Sequence, residues 1–167
     1  TLTYTTVGCV ENRRWTYRGV TYATMNIQGS CDNRCGDHFD NTEANYRQAA
    51  NIAWMRETFD VAQQRGSAAV MFISQADPGF NLRPVESEPT RSPTTLDMVL
   101  PSPNPDSLVE AHKAYLVALR EEVIAFQKPV AYVYGDTHFF RIDKPFLVSA
   151  GKRLENFTGI ETFGDNS

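Results

Sequence analysis

The sequence lacks several features that would assign it to a broad class at once. Its 167 residues carry 16 Lys and Arg against 20 Asp and Glu, so it has no excess of the basic charge that a nucleic-acid or anionic-membrane binder needs. No run approaches the roughly 20 apolar residues of a membrane-spanning helix. The nucleophile elbow Gly-x-Ser-x-Gly is also absent, which weakens the case for a serine hydrolase of that type. We therefore expect no nucleic-acid partner and no membrane partner.

Cysteine is scarce, and its three copies do not pair off evenly. The spacing of Cys31 and Cys35 allows a small disulfide loop, a zinc site completed by Asp37 and His38, or a surface loop with free thiols. All three alternatives stay open from the sequence. The start of the chain, residues 1–4, has neither an initiator Met nor the pattern of a signal peptide. The compartment is therefore unknown, with a disulfide favouring a periplasmic or secreted protein over a cytoplasmic one.

What the sequence does contain is enough apolar material for a core, with 41% hydrophobic and 11% aromatic residues. Its periodicity predicts the order β-β-α-β-loop-α-β-β-β and a single α/β domain over residues 1–167. The predicted elements are a hairpin (15–28) turning at Arg18-Gly19, a helix (42–65), a buried strand (68–74), a helix opened by a capping box (107–110), a buried strand (130–134) and two extended segments (146–149 and 157–163).

A long irregular segment interrupts this pattern between residues 75 and 106. It shows no periodicity and holds seven of the nine prolines of the chain. Loops of this length inside a compact domain usually serve binding or cover a site. We therefore predict that this proline-rich loop borders the functional site.

Two polar loops directly follow the buried strands. The first begins at Gln75, and the second is Gly135-Asp-Thr-His138, in which Asp136 and His138 stand two residues apart and can aim at one point. A carboxylate and an imidazole are ligands that divalent metals accept, and they are equally an acid–base pair. The alternative is a strand-end turn in which the Asp caps backbone N–H groups and the His packs.

The segment from Tyr132 to Phe146 resembles the last motif of the calcineurin-like metallophosphoesterases, Gly-His-x-His at the end of a late strand. Three earlier segments (15–28, 51–60 and 69–78) resemble a strand pair, a helix and a strand of the same family, in order. The similarity covers nearly the whole chain, and it is closest to a bacterial branch whose last motif is Gly-Asp-Ser/Thr-His.

This resemblance implies a layered α/β sandwich, of which the chain would be the C-terminal half. It also implies hydrolysis of phosphoesters by a metal-activated water, with His138 and Asp136 as ligands and catalytic groups. The three earlier ligand blocks of the family are absent, and Gln75 and Asp136 stand where the family has His. We therefore expect a divalent ion (Mn, Fe, Zn or Mg) to be held weakly or not at all.

Several further residues are candidates for contact with a small ester or phosphoester substrate. Arg141 and Lys144 lie just beyond His138 and suit a substrate anion, although surface salt bridges are the alternative. Asn33 and His38 lie in the loop after the hairpin and are candidates at the same site. Gln75 offers an amide to a substrate oxygen.

Two rival interpretations remain beside the phosphoesterase. One is a small ester hydrolase that works without metal, in which His138 activates a nucleophile such as Ser74. The other is a non-catalytic remnant of the fold. Under either, half a sandwich would leave a sheet surface open, so we expect a homo-oligomer.

Overall fold

The computed structural model describes residues 3–4, 10–29, 31–35, 37–80, 91–98, 111–135, 140–149 and 151–164. The elements in chain order are β1 (Thr3–Tyr4), β2 (Arg13–Tyr17), β3 (Val20–Met25), α1 (Asn41–Gln64), β4 (Ala69–Ser74), α2 (Lys113–Phe126), β5 (Val130–Tyr134), β6 (Arg141–Asp143), β7 (Leu147–Ser149), β8 (Lys152–Arg153) and β9 (Phe157–Glu161). Seven strands form one sheet in the order β1-β2-β3-β4-β5-β9-β6, and β7 pairs with β8. The expected α/β fold is confirmed.

The centre of the sheet is parallel and its margins are antiparallel. Strands β3, β4, β5 and β9 run in one direction, whereas β2 and β6 run against their neighbours. The turn between β2 and β3 has positive φ at both Arg18 (47°) and Gly19 (79°), which matches the twist of a tight hairpin. The predicted hairpin is therefore confirmed.

Helix α1 forms within one residue of its predicted bounds. Its N-cap Asp40 accepts hydrogen bonds from the backbone N–H groups of Thr42 and Glu43, as a capping carboxylate should. The inward face is not wholly apolar at this end of the helix, because Tyr46 is 60% exposed while Arg47 is buried. The spacing of apolar residues along the helix did not indicate that Arg47, paired with Asp32, would lie on the side that faces the core.

Helix α2 carries the expected apolar residues into the core, and Tyr115, Leu119, Val123 and Phe126 are all buried. It is described from Lys113 onward, whereas the capping box predicted at residues 107–110 lies outside the described residues. The helix ends at Gln127 in the left-handed conformation, two residues before Pro129.

The core lies on one face of the sheet, where both helices pack. Phe59 of α1 contacts Phe72 of β4 and Phe126 of α2, with ring centroids 5.3 and 5.4 Å apart. Tyr115 of α2 contacts Tyr132 of β5. Both helices therefore cover the same face. The finer sandwich arrangement stays a prediction.

Part of the proline-rich segment packs onto this core. Leu96 is buried, and the carbonyl oxygen of Pro93 accepts a hydrogen bond from the backbone N–H of Leu147. The carbonyl oxygen of Thr94 accepts one from the Arg120 side chain of α2. Residues 81–90 and 99–106 lie outside the described residues, so the predicted covering role stays a prediction. In the part of the chain that is described, neither helix has the length and apolarity needed to span a bilayer.

Candidate functional site at the carboxyl edge of the sheet

The carboxyl ends of the four parallel strands meet along one edge of the sheet. In α/β folds ligands bind in the crevice outside this edge, because loops that leave neighbouring strands converge there. The loops that leave here begin at Asn26, Gln75, Gly135 and Thr162. The two sequence-predicted loops, after β4 and β5, thus start from adjacent strands.

Backbone hydrogen bonds tie three of these strand ends together. The N–H of Gly135 donates to the carbonyl oxygen of Gln75 over 3.0 Å, and the N–H of Thr162 donates to the carbonyl oxygen of Tyr134 over 2.8 Å. A Cβ at position 135 would lie 3.3 Å from both the Gln75 carbonyl oxygen and the Thr162 hydroxyl. The crossing is therefore close enough to favour glycine at the point where the β5 loop begins.

Asp136 and His138 follow this crossing directly, but residues 136–139 lie outside the described residues. The catalytic and metal-binding roles assigned to them from the sequence stay predictions. The structure describes the ends of β4, β5 and β9, and the loop with these two residues follows the end of β5.

The loop after β4 is shaped by its own aspartate. One carboxylate oxygen of Asp77 accepts hydrogen bonds from the N–H groups of Gly79 and Phe80, both over 2.8 Å. This turn delivers the ring of Phe80 into the core, where it contacts Tyr132 and Tyr134 at 5.1 Å. Much of the Asp77 carboxylate is therefore engaged in forming the turn.

The candidate Arg141 lies in a charged group beside the end of β5, and its partners there were not predicted from the sequence. Arg141, the first residue of β6, contacts the Glu161 carboxylate at 3.0 Å, the Tyr134 hydroxyl at 3.3 Å and the Asp143 carboxylate at 3.5 Å. Glu161 is 1% exposed and Arg141 is 28% exposed. The register between β6 and β9 brings these side chains together, because Arg141 is paired with Glu161 and Asp143 with Gly159.

The protonation of this group follows from its surroundings. Burial, together with the nearby Asp77 carboxylate, raises the pKa of the Tyr134 phenol, so the hydroxyl keeps its proton at neutral pH. Burial opposes the charge of Arg141, but Tyr134 and the two carboxylates outweigh it and raise the pKa of the guanidinium. Arg141 is a fixed cation facing two carboxylates, so a substrate anion would compete with them. Its substrate-binding role stays a prediction.

Two exposed aromatic rings flank the same edge. Phe140, which precedes β6, and Phe163, which follows β9, are 63% and 65% exposed. Their ring centroids are 6.1 Å apart and their planes are tilted by 65°. No local pattern connects them, since 22 residues separate them, and it is the antiparallel pairing of β6 with β9 that brings them together.

The other sequence candidates occupy different surroundings. The Asn33 amide donates to Glu43 over 3.0 Å beside an open cavity of about 450 Å³, and His38 is exposed. The Lys144 ammonium contacts the backbone carbonyl of Glu155, so it is held against the chain. Ser74 is buried and donates its hydroxyl hydrogen to the Ala76 carbonyl over 2.7 Å, which leaves it poorly placed as a nucleophile.

The loop after β3 is held by a disulfide and a buried ion pair. Cys31 and Cys35 form a disulfide with their Cα atoms 6.0 Å apart, which is one of the three alternatives left open by the sequence. Between them, the Asp32 carboxylate forms an ion pair with Arg47 of α1, and both side chains are at most 4% exposed. Arg47 also binds Glu43 and holds the pKa of that carboxyl at about 2.

His112 also belongs to this group of buried residues. It stands at the N-cap of α2 without capping it, and it is buried. Its Nε2 lies 3.2 Å from the Gln28 carbonyl oxygen and its Nδ1 lies 3.9 Å from the Asp32 carboxylate. Burial lowers the pKa of the imidazole, while Asp32 opposes that shift. These contacts span 80 residues or more, so no local pattern could have indicated them.

The metal centre implied by the resemblance would need several His, Asp or Glu side chains at this edge. Among the residues that the structure describes, no three His, Cys, Asp or Glu side chains gather as a set that could hold an ion. Asp77 is committed to its turn and Glu161 to Arg141. The described side chains do not by themselves form a two-metal centre, and the predicted ligands Asp136 and His138 lie outside the described residues.

Comparison with known proteins adds no relative. No family model matches the chain, and neither the curated proteins nor the solved structures give a match.

Proposed function

We propose that this chain is a hydrolase of small organic phosphoesters whose site lies at the carboxyl edge where β4, β5 and β9 end. The observation that carries the proposal is the hydrogen bond from the Gly135 N–H to the Gln75 carbonyl oxygen. It joins the residues at which the two polar loops begin, at the edge where α/β folds bind ligands. The resemblance described above supplies the reaction class.

The groups beside this crossing suit such a substrate. Hydrolysis forms a bond from the water oxygen to phosphorus and breaks the bond from phosphorus to the ester oxygen, which takes up a proton and leaves as an alcohol. Asp136 with His138 would accept the proton that the water loses, or would hold the divalent ion that activates the water. The Tyr134 phenol, kept protonated by burial, lies at the end of β5 in contact with Arg141. Arg141 is held at the same edge by Glu161.

The exposed ring pair of Phe140 and Phe163 supports an organic group on the phosphoester. Exposed aromatic rings contribute apolar contact area and stack against other rings. Phe140 follows the predicted His138 loop directly in the chain and contacts Phe163, so we assign the two rings to the part of the substrate that is not the phosphoryl group.

The first test is turnover of an aryl phosphodiester before and after chelation with EDTA, followed by addition of Mn²⁺. We expect activity that EDTA abolishes and Mn²⁺ restores, and a loss of about 100-fold or more in Asp136→Ala and His138→Ala. The matched control is Asp60→Ala, on the exposed side of α1, which should keep full activity.

The outcomes separate the alternatives. Activity that survives both chelation and the two substitutions would place the chemistry elsewhere and overturn the proposal. Absence of turnover on phosphodiesters, phosphomonoesters and carboxylic esters would favour the non-catalytic remnant.

The ring pair has its own test. Phe140→Ala and Phe163→Ala should each raise KM for an aryl substrate several-fold and leave kcat nearly unchanged, because contacts made equally in the ground and transition states affect KM alone. Tyr17→Ala is the control, since Tyr17 is 58% exposed at the opposite end of the sheet. Unchanged KM in both Phe variants would remove the rings from the site.

A further inference from the structure

The disulfide between Cys31 and Cys35 closes a short loop (residues 31–35, the disulfide loop) in the segment that follows β3. Strand β3 runs parallel to its neighbour β4, so this segment leaves the sheet at the same edge as the Gln75 loop. Asp32 and Asn33, inside the disulfide loop, both have positive φ, of 58° and 60°. Two left-handed residues in a row are unfavourable for L-amino acids, and such a turn persists only when its surroundings hold it.

Each of the three residues between the two cysteines contacts a different polar side chain of α1. The pairs are Asp32 with Arg47, Asn33 with Glu43 over 3.0 Å, and Arg34 with Asn45 over 2.7 Å. The backbone carbonyl oxygen of Asn33 also accepts a hydrogen bond over 3.0 Å from the N–H of Asp40, the N-cap of α1. The disulfide loop therefore anchors the beginning of α1.

The same loop also contacts the beginning of α2. The second carboxylate oxygen of Asp32 lies 3.9 Å from Nδ1 of His112, the residue that precedes α2. The backbone N–H of Asp32 donates to the Gly29 carbonyl oxygen over 3.2 Å, which fixes this aspartate relative to the end of β3. One turn thus holds the beginnings of both helices.

Apolar packing contributes little to this anchoring. Among the described residues from 28 to 40, Cys31 is the only buried hydrophobic residue. The contacts of Asn33 and Arg34 with α1 are exposed, and exposed polar pairs stabilise a fold little because water competes for them. The disulfide and the buried Asp32 ion pair are therefore the main restraints on the loop, and Asp32 keeps its place only while the turn that carries it stays closed.

The two cysteines differ in their access to solvent. Cys31 is 6% exposed, whereas Cys35 is partly exposed, so a thiolate from solvent can approach the pair from the side of Cys35. We propose that this disulfide is a redox-controlled clasp. Its reduction by a dithiol releases the disulfide loop, and with it the beginnings of α1 and α2, while the sheet stays folded.

The reduction is an ordinary thiol–disulfide exchange. A thiolate of the dithiol attacks the Cys35 sulfur, the bond between the two cysteine sulfurs breaks, and the Cys31 sulfur leaves as a thiolate. The second thiolate of the dithiol then attacks its own sulfur in the mixed disulfide, and the Cys35 sulfur leaves. Two electrons pass to the cysteines, which take up the two protons that the dithiol loses, and the dithiol becomes a disulfide.

The clasp is independent of the proposed catalysis. Its opening is a change in structure that needs no substrate, so it can be measured whether or not the chain hydrolyses phosphoesters. Failure of either proposal leaves the other standing.

The experiment follows amide hydrogen exchange in the folded 167-residue chain before and after treatment with dithiothreitol, with free thiols counted by alkylation. Reduction should speed exchange roughly tenfold or more in residues 31–48 and 111–116, because the closed loop no longer limits the open states of this region. Exchange in β4 and β5 should stay unchanged. Reoxidation after removal of the reductant should restore slow exchange.

Two variants separate the clasp from the third cysteine. Cys31→Ser combined with Cys35→Ser should exchange like the reduced chain and should not respond to dithiothreitol. The matched control is Cys9→Ser, which keeps the pair and should respond like the wild type.

Three outcomes would overturn the proposal. The first is a reduced chain that exchanges like the oxidised chain, which would show that the polar contacts hold the loop without the disulfide. The second is loss of the whole fold on reduction, measured by circular dichroism, which would make the disulfide a staple of the entire chain. The third is a disulfide that dithiothreitol opens only in denaturant.

Discussion

Phe72 and Ile73 are neighbours on β4, and they meet different surroundings. Phe72 is 0% exposed and lies between Phe59 of α1 and Tyr132 of β5. Ile73 points to the face where no described helix lies, and it is only half-buried. Both residues are apolar, so their burial differs because the two faces of the sheet are covered differently, and not because the residue types differ. Strands that are apolar on both sides usually have a covering layer on each face. Among the described residues, helices cover the face of Phe72.

The largest loss of stability should come from truncating a side chain on the face that the helices cover. Phe72→Ala removes a fully buried ring and should cost about 3–5 kcal/mol in the free energy of unfolding, because a cavity adds to the lost transfer free energy. Ile73→Ala on the other face should cost clearly less in the monomer. Urea unfolding at low protein concentration measures both, and equal costs would mean that the second face is already covered within one chain.

A second contrast separates buried from exposed charge on the covered side. Arg47→Leu removes the buried partner of the Asp32 carboxylate, which is 1% exposed, and leaves it with Arg34 at 3.5 Å. It should cost about 3 kcal/mol, since a buried charge loses its main counter-charge. Arg56→Leu breaks an ion pair with Glu122 in which Arg56 is 53% exposed, and should change stability by less than about 1 kcal/mol. Comparable costs for the two variants would contradict the buried role of Asp32 and Arg47.

The smallest effect is a pH dependence that originates at His112. Burial lowers the pKa of His112 below its ordinary value of 6.5 in the folded chain. The unfolded chain therefore binds the proton more readily, and stability is fully present above pH 6.5 and is lost as the pH falls towards the folded-state pKa. His112 faces Asp32 and the Gln28 carbonyl, with Arg47 and Arg91 nearby.

We expect the urea midpoint of the wild-type chain to fall between pH 7 and pH 5, and His112→Gln to flatten that fall. His38→Gln, at an exposed position, should follow the wild type. Glu43 acts in a separate window, because its pKa of about 2 confines its loss of stabilisation to the range from about pH 4.5 downward. A slope between pH 7 and pH 5 that His112→Gln leaves unchanged would assign the effect to another group.

Several elements follow from the sequence because their signals are local. The Arg18-Gly19 turn, the apolar run that became β4 and the helix ended by Gly66 each depend on residues within one or two turns of chain. Backbone conformation at a glycine and the period of apolar residues are properties of short segments. The same local signals placed one polar loop directly after β4 and another directly after β5.

Other features required the whole fold. The three-residue strand β6 has too little pattern to be recognised, yet its register with β9 brings Arg141 to Glu161 and Phe140 to Phe163. The approach of His112 to Gln28 joins residues far apart along the chain. Sequence alone determined the helices and the longer strands, because propensity acts within a few residues. Only the tertiary structure decided which strands adjoin and which face the helices cover, because those choices depend on packing among segments that no local pattern connects.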